Sequence, residues 1–382
     1  MTPSGDPGLS EGQKLLRDEV RRFCEERIRP GVAERDRSHT FPRDILAELG
    51  EMGLLGMTVD EEYGGSGLSG LELVIVIEEI ARVCPSVAVS LSVSNSVCCW
   101  PINKFGRDGL KERVLPVLAS GASLGGFALT EPGSGSDAGA MQTAAVRDAD
   151  EWILNGEKAW ITNAGVAEFY VAFARTDLQA GHRGISAFVV PADSPGLSIG
   201  SPEEKLGLRA SLTAPVLFED CRIPAGHLLG DEGQGFKIAL ATLDHSRLGI
   251  AAQAVGIHQR ALELAVDYAQ QRVQFGRPIA EFQAVRFMIA DMATRLEAAR
   301  SLCRAAAAGE SSRDAGRLAA EAKLFAAEAA NRACWDSLQI HGGNGFSEEY
   351  EIARLYRDVR VTTIYEGTSE MQRRVIARHL LQ

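Results

Sequence analysis

Seven residues in the C-terminal part of the chain, Phe282, Val285, Ile289, Met292, Leu296, Ala299 and Cys303, recur at alternating spacings of three and four. That period draws one apolar stripe along one side of an α-helix, and so long a stripe has to be covered by other helices. Alanine-rich helical runs at 236–271, 281–308, 313–341 and 368–380 supply the cover, so the spacing predicts a four-helix bundle. The helical period fails upstream. Between 121 and 235 the apolar residues come in short runs, 169–174, 185–190 and 216–218, separated by Gly, Pro and Asp. Asn155-Gly156, inside the segment 151–160, reads as a hairpin turn between two strands. A small antiparallel β-barrel or sandwich is predicted there. Helical spacing governs the first part again, over 11–27, over 43–52 behind Pro42, and over 71–83, 87–105 and 110–118, with the Gly-rich stretch 63–67 as a loop. The expected fold class is therefore α+β. A helical domain spans 1–120, an antiparallel β-domain 121–235 and a four-helix bundle 236–382. No repeat or low-complexity linker separates them, so they are expected to pack as one unit.

Charge and composition exclude several classes of function. Forty Lys and Arg against 51 Asp and Glu leave a net charge of −11, and no long basic run offers a footprint for nucleic acid. No stretch reaches the ~18 apolar residues of a membrane span. The N-terminal residues MTPSGDPGLSEGQ resemble neither a secretory signal nor an Arg-rich transit peptide. Seven cysteines, at 24, 84, 98, 99, 221, 303 and 334, form no C-x-x-C pair, and His is scarce. The expectation is buried reduced thiols and no metal site, in a cytoplasmic protein or the mature form of an organelle protein.

Four segments invite a chemical reading. Gly133-Ser134-Gly135-Ser136-Asp137-Ala138 matches G-x-G-x-x-A, with Asp150 near the distance of a ribose-binding acid. That fingerprint needs a helix behind it to meet a pyrophosphate, and here a strand pattern follows. A rim loop whose Thr130 and Ser136 hydroxyls face a polar ligand fits better. Trp160-Ile161-Thr162 puts an aromatic ring and a hydroxyl on one face of a strand, which is either a core Trp or a wall for a flat heterocycle. Gln339 to Gly345 is a Gly-rich turn after a helix, either a C-cap or a backbone cradle for phosphate, with His341 read as a packed or capping side chain. In Ile364 to Glu370, Ser369 and Gln372 form a possible capping box, and Glu366 stands just before that helix beside Gly367. Arg354, Arg357 and Arg360 read by default as a solvated or intersubunit face.

Together with Lys158 to Asn163, Lys205 to Arg209, Gly233 to Phe236 and Arg272 to Gly276, three of these segments stand in an order that resembles the acyl-CoA dehydrogenase family of flavoenzymes. They are Phe127 to Asp137, Gln339 to Gly345 and Ile364 to Glu370. The resemblance covers nearly the whole chain. It implies FAD as cofactor, with Phe127, Leu129, Thr130, Ser136, Trp160 and Thr162 about the flavin. Arg272, Gln274 and Phe275 would be offered to the FAD of a neighbouring subunit, and Gln283 is a further cofactor-binding position. Gln339, Gly342, Gly343, Thr368 and Glu370 complete the cofactor set. Ser136, Asp244, Arg247, Gln253, Tyr365 and Gly367 match positions near the acyl-CoA, and Glu366 matches the catalytic base. A second branch of the family places its base just before the arginine of the 244–247 segment. This chain has Ser246 there, so Glu366 is the candidate and the short- and medium-chain branch is the one resembled.

The implied reaction removes an α-proton and a β-hydride from an acyl thioester to give the trans-2-enoyl product. An unperturbed Glu, with a pKa of ~4.3, is too weak a base for that proton. Excluding water raises it, and hydrogen bonds to the thioester carbonyl stabilise the developing enolate. Trp160 and Tyr365 would help keep the site dry. Gln253, six residues beyond Arg247, would shorten the acyl pocket if it points inward, which predicts short-chain substrates. Branched-chain or carrier-protein-bound acyl thioesters are the alternatives, as is a flavin oxidase on the same scaffold. An electron-transfer flavoprotein is the implied electron acceptor and a homotetramer the implied assembly.

Overall fold

The computed structural model describes residues 8–381. The N-terminal part is helical. Helix α1 (Glu11–Phe23) opens on a capping box in which Ser10 and Gln13 satisfy each other's backbone N–H. Helices α2 (Val32–Ser38) and α3 (Arg43–Glu51) follow, then α4 (Gly70–Val83), capped in the same way by Ser69 with Glu72. The run expected over 87–105 is α5 (Pro85–Val93), a π-helical turn at Ser94–Cys99 and α6 (Trp100–Phe105). Inside the wide turn, buried Asn95 accepts the Met57 N–H at 2.9 Å and donates to the Leu54 carbonyl at 2.9 Å. Helix α7 (Asp108–Ala119) ends this part.

Strands β1 (Leu124–Ala128), β2 (Ala144–Asp148), β3 (Glu151–Thr162), β4 (Ala167–Arg175), β5 (Ile185–Pro191), β6 (Leu197–Ile199), β7 (Thr213–Pro224) and β8 (Leu228–Leu229) form one sheet. Its order is β6-β7-β3-β2-β4-β5-β8, with β1 added on β4. The ladders are antiparallel except that β1 runs parallel to β4, and one residue pair of β2 does the same. The hairpin expected at Asn155-Gly156 is not there. The chain turns six residues earlier, between β2 and β3 through left-handed Ala149, and β3 runs straight through Asn155 and Gly156. Asn155 instead exchanges two hydrogen bonds with Asp220 of β7, and Gly156 marks a bulge where a β-carbon would fall 2.7 Å from the Thr143 Cα. The glycine serves a close approach of strands rather than a turn.

The C-terminal part holds α8 (Gly235–Gln271), the small ribbon β9 (Val273–Gln274) and β10 (Arg277–Pro278), α9 (Gln283–Ala308), α10 (Ala315–His341), α11 (Glu351–Val359) and α12 (Ser369–Leu381). Four of these helices match the expected runs; α11 was not anticipated. On α9, Met292, Leu296, Ala299 and Cys303 are buried, while Phe282, Val285 and Ile289 at the start of the stripe are only partly covered. The arginines of α11 depart from the expected solvated face. Arg354 is buried, bonding Asp358, Glu351 and the Val83 carbonyl, and Arg357 pairs with Asp36 and Glu348. Both tie the C-terminal part to the N-terminal helices; only Arg360 stays exposed. One apolar core runs from α1 through α4 into α8, α9 and α10, so the first and last parts share an interior. All seven cysteines are buried. Among the described residues no helix is long and apolar enough to cross a membrane.

Candidate active site

The loop after β1 and the end of β3 are locked together from beneath. Lys158 is fully buried and bonds the Leu129 carbonyl at 3.2 Å and Glu131 Oε1 at 2.8 Å. Glu131 also accepts the Gln142 and Thr143 N–H groups, and the Ala159 N–H donates to the Thr130 carbonyl at 2.9 Å. Burial pushes the Lys158 ammonium down to about 8 against the pull of Glu131. These bonds bring Leu129, Thr130, Trp160 and Thr162 together. Ile161 points into the core, and a register shift between Lys158 and Ile161 leaves Trp160 in the left-handed region at φ 61°. Its ring is 60% exposed, so it is no core tryptophan. A large flat ring left exposed at an unfavourable backbone angle fits a planar heterocycle. Ser136 sits on the exposed loop between Ser134 and Ala138; one 3-10 turn at Ala138–Ala140 and then strand β2 lead on from there, with no α-helix, as the sequence indicated.

Glu366 lies on a tight turn before α12. It and Gly367 are both left-handed, at φ 50° and 93°. The side chain of buried Gln372 reaches back to hold both their carbonyls, at 3.2 and 2.9 Å, and Lys323 Nζ holds the Gly367 carbonyl at 2.6 Å. Glu366 is partly exposed as a residue, yet its Oε2 is buried and has no hydrogen-bond partner among the described residues. Burial pushes the carboxyl up to about 7, against the opposing pull of the Ser246 hydroxyl, Lys323 and Arg247. The predicted capping box of Ser369 with Gln372 does not form: Thr368 caps the helix instead, its Oγ accepting the Met371 N–H, and the Ser369 hydroxyl has no partner among the described residues. The reason is Gln372, whose amide is taken by the Glu366–Gly367 turn.

An apolar cluster flanks the turn. Val89, Val93 and Val97 face one way along α5 and the π-helical turn. They meet Leu208, with Phe127 of β1, Val361 and Tyr365 packed against them. Leu208 is held there by its N–H, 2.6 Å from Asp358 Oδ1. The Tyr365 hydroxyl donates to Gln253 Oε1, and Gln253 Nε2 donates to the Pro85 carbonyl at 2.9 Å. Gln253 is buried, as an amide engaged at both ends. On the same helix, buried Arg247 pairs with Asp244 and faces Glu366, and buried His245 stacks on Trp100 at 4.7 Å.

The remaining candidates are exposed, apart from half-buried Thr368. Arg272, Gln274 and Phe275 stand on the β9–β10 ribbon, with Phe275 94% exposed and left-handed, and Gln283 opens α9. Gln339, Gly342 and Gly343 end α10. A β-carbon on either glycine would meet nothing within 4 Å, so open space lies over that backbone. Gly342 does close the helix at φ 60°, and His341 packs on Tyr268 with Nδ1 2.7 Å from the Ser337 carbonyl, as the capping reading expects. Thr368 is half-buried and Glu370 exposed. The acidic groove lined by Glu62, Tyr63, Asp108, Glu112 and Pro116 holds none of these residues. Sequence reasoning assigned no part to Lys323 or to the Lys158–Glu131 pair, and Gln372 entered only as a capping residue. A signal existed for Lys323: it interrupts the buried stripe Ala319, Ala322, Ala326 and Ala330 of α10.

Comparison with known proteins adds the last observations. Three family models match in order: the acyl-CoA dehydrogenase N-terminal domain over 10–122, the middle domain over 126–221 and the C-terminal domain over 233–381. The chain is 49% identical over 375 residues to the short-chain specific acyl-CoA dehydrogenase of mouse mitochondria, covering 98% of this chain and 91% of that protein. Butyryl-CoA dehydrogenase from Megasphaera elsdenii superposes with a TM-score of 0.96 at 42% identity, over 99% of this chain and 100% of the other. An acyl-CoA dehydrogenase from Bacillus anthracis, solved with FAD, superposes with a TM-score of 0.93 at 34% identity, over 99% of this chain and 68% of the other.

Proposed function

The chain belongs to the acyl-CoA dehydrogenase family of FAD-dependent oxidoreductases, and on that premise we propose that it desaturates short-chain acyl-CoA thioesters at C2–C3 with Glu366 as the base. The observation that carries this reading is the Glu366 carboxyl itself. It is a buried, unpartnered oxygen on a left-handed turn, with its proton affinity raised to about 7. A general base works best with a pKa near the working pH, and burial has moved this one there.

The cofactor's residues fit. Phe127, Leu129, Thr130, Trp160 and Thr162 would hold the ring, the open backbone at Gly342 and Gly343 with Gln339, Thr368 and Glu370 the polar remainder. Exposed Arg272, Gln274, Phe275 and Gln283 would serve a neighbouring copy. FAD, once bound, supplies the acceptor for the β-hydride. Everything else falls to the chain. Glu366 takes the α-proton. The Glu366 N–H, left available by the turn, would donate to the thioester oxygen as charge develops there. Phe127 and Tyr365, packed on the same valine cluster, would exclude water between ring and base. Arg247, Asp244 and Ser136 would meet the polar part of the thioester.

Short chains are supported by the Tyr365–Gln253–Pro85 crosspiece and by the butyryl and short-chain relatives. Ser246, against the carboxylate, and Gln253 are seven residues apart, about 10 Å along α8 before the contact radii of both are subtracted. A homotetramer is favoured by the large apolar side chains left uncovered in the C-terminal part, among them Phe275, Phe287, Trp335 and Phe346. An electron-transfer flavoprotein would then reoxidise the cofactor.

Anaerobic titration of the FAD-loaded enzyme with butyryl, hexanoyl and octanoyl thioesters tests the proposal. Flavin absorbance should bleach most readily with the four- and six-carbon chains. Glu366→Gln should bind the thioester and lose the bleaching rate by at least ~100-fold. Bleaching at near-normal rate in that variant removes the base, and a clear octanoyl preference removes the short-chain reading.

A further inference from the structure

The turn that carries Glu366 is over-determined. Two consecutive left-handed residues, one of them with a side chain, cost backbone energy that the surroundings have to offset. Gln372 alone supplies neutral donors to both carbonyls of the turn. A second donor converges on the Gly367 carbonyl, and it is an ammonium rather than an amide. Lys323 is fully buried on an alanine-rich helix, where a charged group is costly without an opposite charge in reach.

The charged groups around Glu366 come from three elements. Helix α8 offers Arg247 and the Ser246 hydroxyl, α10 offers Lys323, and α12 places Glu370 within reach of Lys323 and Arg378 within reach of Arg247. Arg247 is engaged by Asp244. Among the described residues Lys323 bonds only a backbone carbonyl of the base's own turn, and its charge is left to act on the carboxylate.

Resting on the assignment of Glu366 as the base, we infer that Lys323 is a positioning residue for it: its N–H pins the turn at the Gly367 carbonyl, and its charge holds the carboxylate in the ionised, proton-accepting form. Support comes from the mutual shifts of the pair. Burial pushes Lys323 down to about 8, and Glu366 pulls it back up, as Lys323 pulls Glu366 back down toward its ordinary range. Removing the cation disfavours the ionised carboxylate, so Glu366 should then titrate at higher pH.

The test uses FAD-loaded Lys323→Met, Gln372→Met and Glu366→Gln. Two quantities are read: the infrared carboxyl band that is absent in Glu366→Gln, titrated against pH, and the anaerobic rate of flavin reduction against pH. Lys323→Met should move both the band and the acid limb of the rate upward by about one pH unit, a ~10-fold slower reduction on that limb. Gln372→Met, which loosens the same turn without removing charge, should lower the rate and leave both titrations in place. A Lys323→Met enzyme with band and limb at the wild-type position overturns the inference, as does an equal shift in Gln372→Met. If Lys323→Met does not fold, Lys323→Gln keeps an N–H without the charge and decides by the same two outcomes. An inert Glu366→Gln beside an unmoved Lys323 variant removes only the Lys323 assignment; an active Glu366→Gln removes the base and this inference with it.

Discussion

Lys158 Nζ stands 2.8 Å from Glu131 Oε1 with both side chains shut away from water, one on β3 and the other on the loop that follows β1. The pair fixes the backbone on which Thr130 and Trp160 are mounted, because Lys158 also takes the Leu129 carbonyl. Removing one partner of a buried ion pair leaves the other uncompensated, at about 3–5 kcal/mol. Lys158→Met should therefore lower the unfolding temperature and loosen the flavin loop, so that the protein leaves gel filtration with less FAD per chain. Full flavin content and unaltered unfolding would mean that the pair does not hold the cofactor wall.

Glu366 makes the pH dependence directional. Its carboxyl is pushed up to about 7, so below that pH it holds a proton and cannot accept another. The value of kcat/KM should rise about tenfold per pH unit up to about 7 and level off above it, because that ratio reports groups of the free enzyme. An acid limb near ~4.3, the ordinary position of a glutamate, would show a solvated carboxyl and contradict the burial. The same shift acts on stability. The folded form binds the proton more tightly than the unfolded chain between the two pKa values. Stability from this group is thus lost as pH rises through that window, the reverse of the usual carboxylate.

Period and spacing made the architecture legible, since helical stripes and short β-runs are local properties of the chain. Long-range contacts were not. Gly156 read as a turn residue because Asn-Gly usually is one, while its actual role depends on Thr143 pressing against its Cα. Arg354 and Arg357 read as surface because arginine usually is, while Asp358, Glu351 and Asp36 wait for them in the fold. Helix α11 went unseen behind those same charges. At the candidate site, Glu366 and Thr130 stand in motifs that sequence can recognise. Lys323 does not, and Gln372 was legible only as a capping residue: one comes from a helix 43 residues upstream and the other from the next turn, and only folding brings both to the same carbonyl.

Gln253 offers the sharpest test of substrate length. The sequence suggested polar bulk thrust into the acyl pocket. The fold shows an amide with both ends engaged, spanning from Tyr365 beside Glu366 to the Pro85 carbonyl at the start of α5. Such a crosspiece is a firmer stop than a free side chain, because an intruding acyl chain would have to break two buried hydrogen bonds and leave their partners unsatisfied. Gln253→Ala removes the stop and opens space between α5 and α8. Tyr365 then loses its acceptor, so the butyryl reaction should slow as the turn before Glu366 loosens. Octanoyl thioester gains the contacts of its added methylenes, each worth ~1–3 kcal/mol where it is well packed. The ratio of kcat/KM for octanoyl over butyryl should rise by at least ~10-fold on this scale. A fall in both rates with the ratio unchanged would assign Gln253 to holding Tyr365 and nothing more, and the floor of the acyl pocket would have to be sought among Val89, Val93 and Val97.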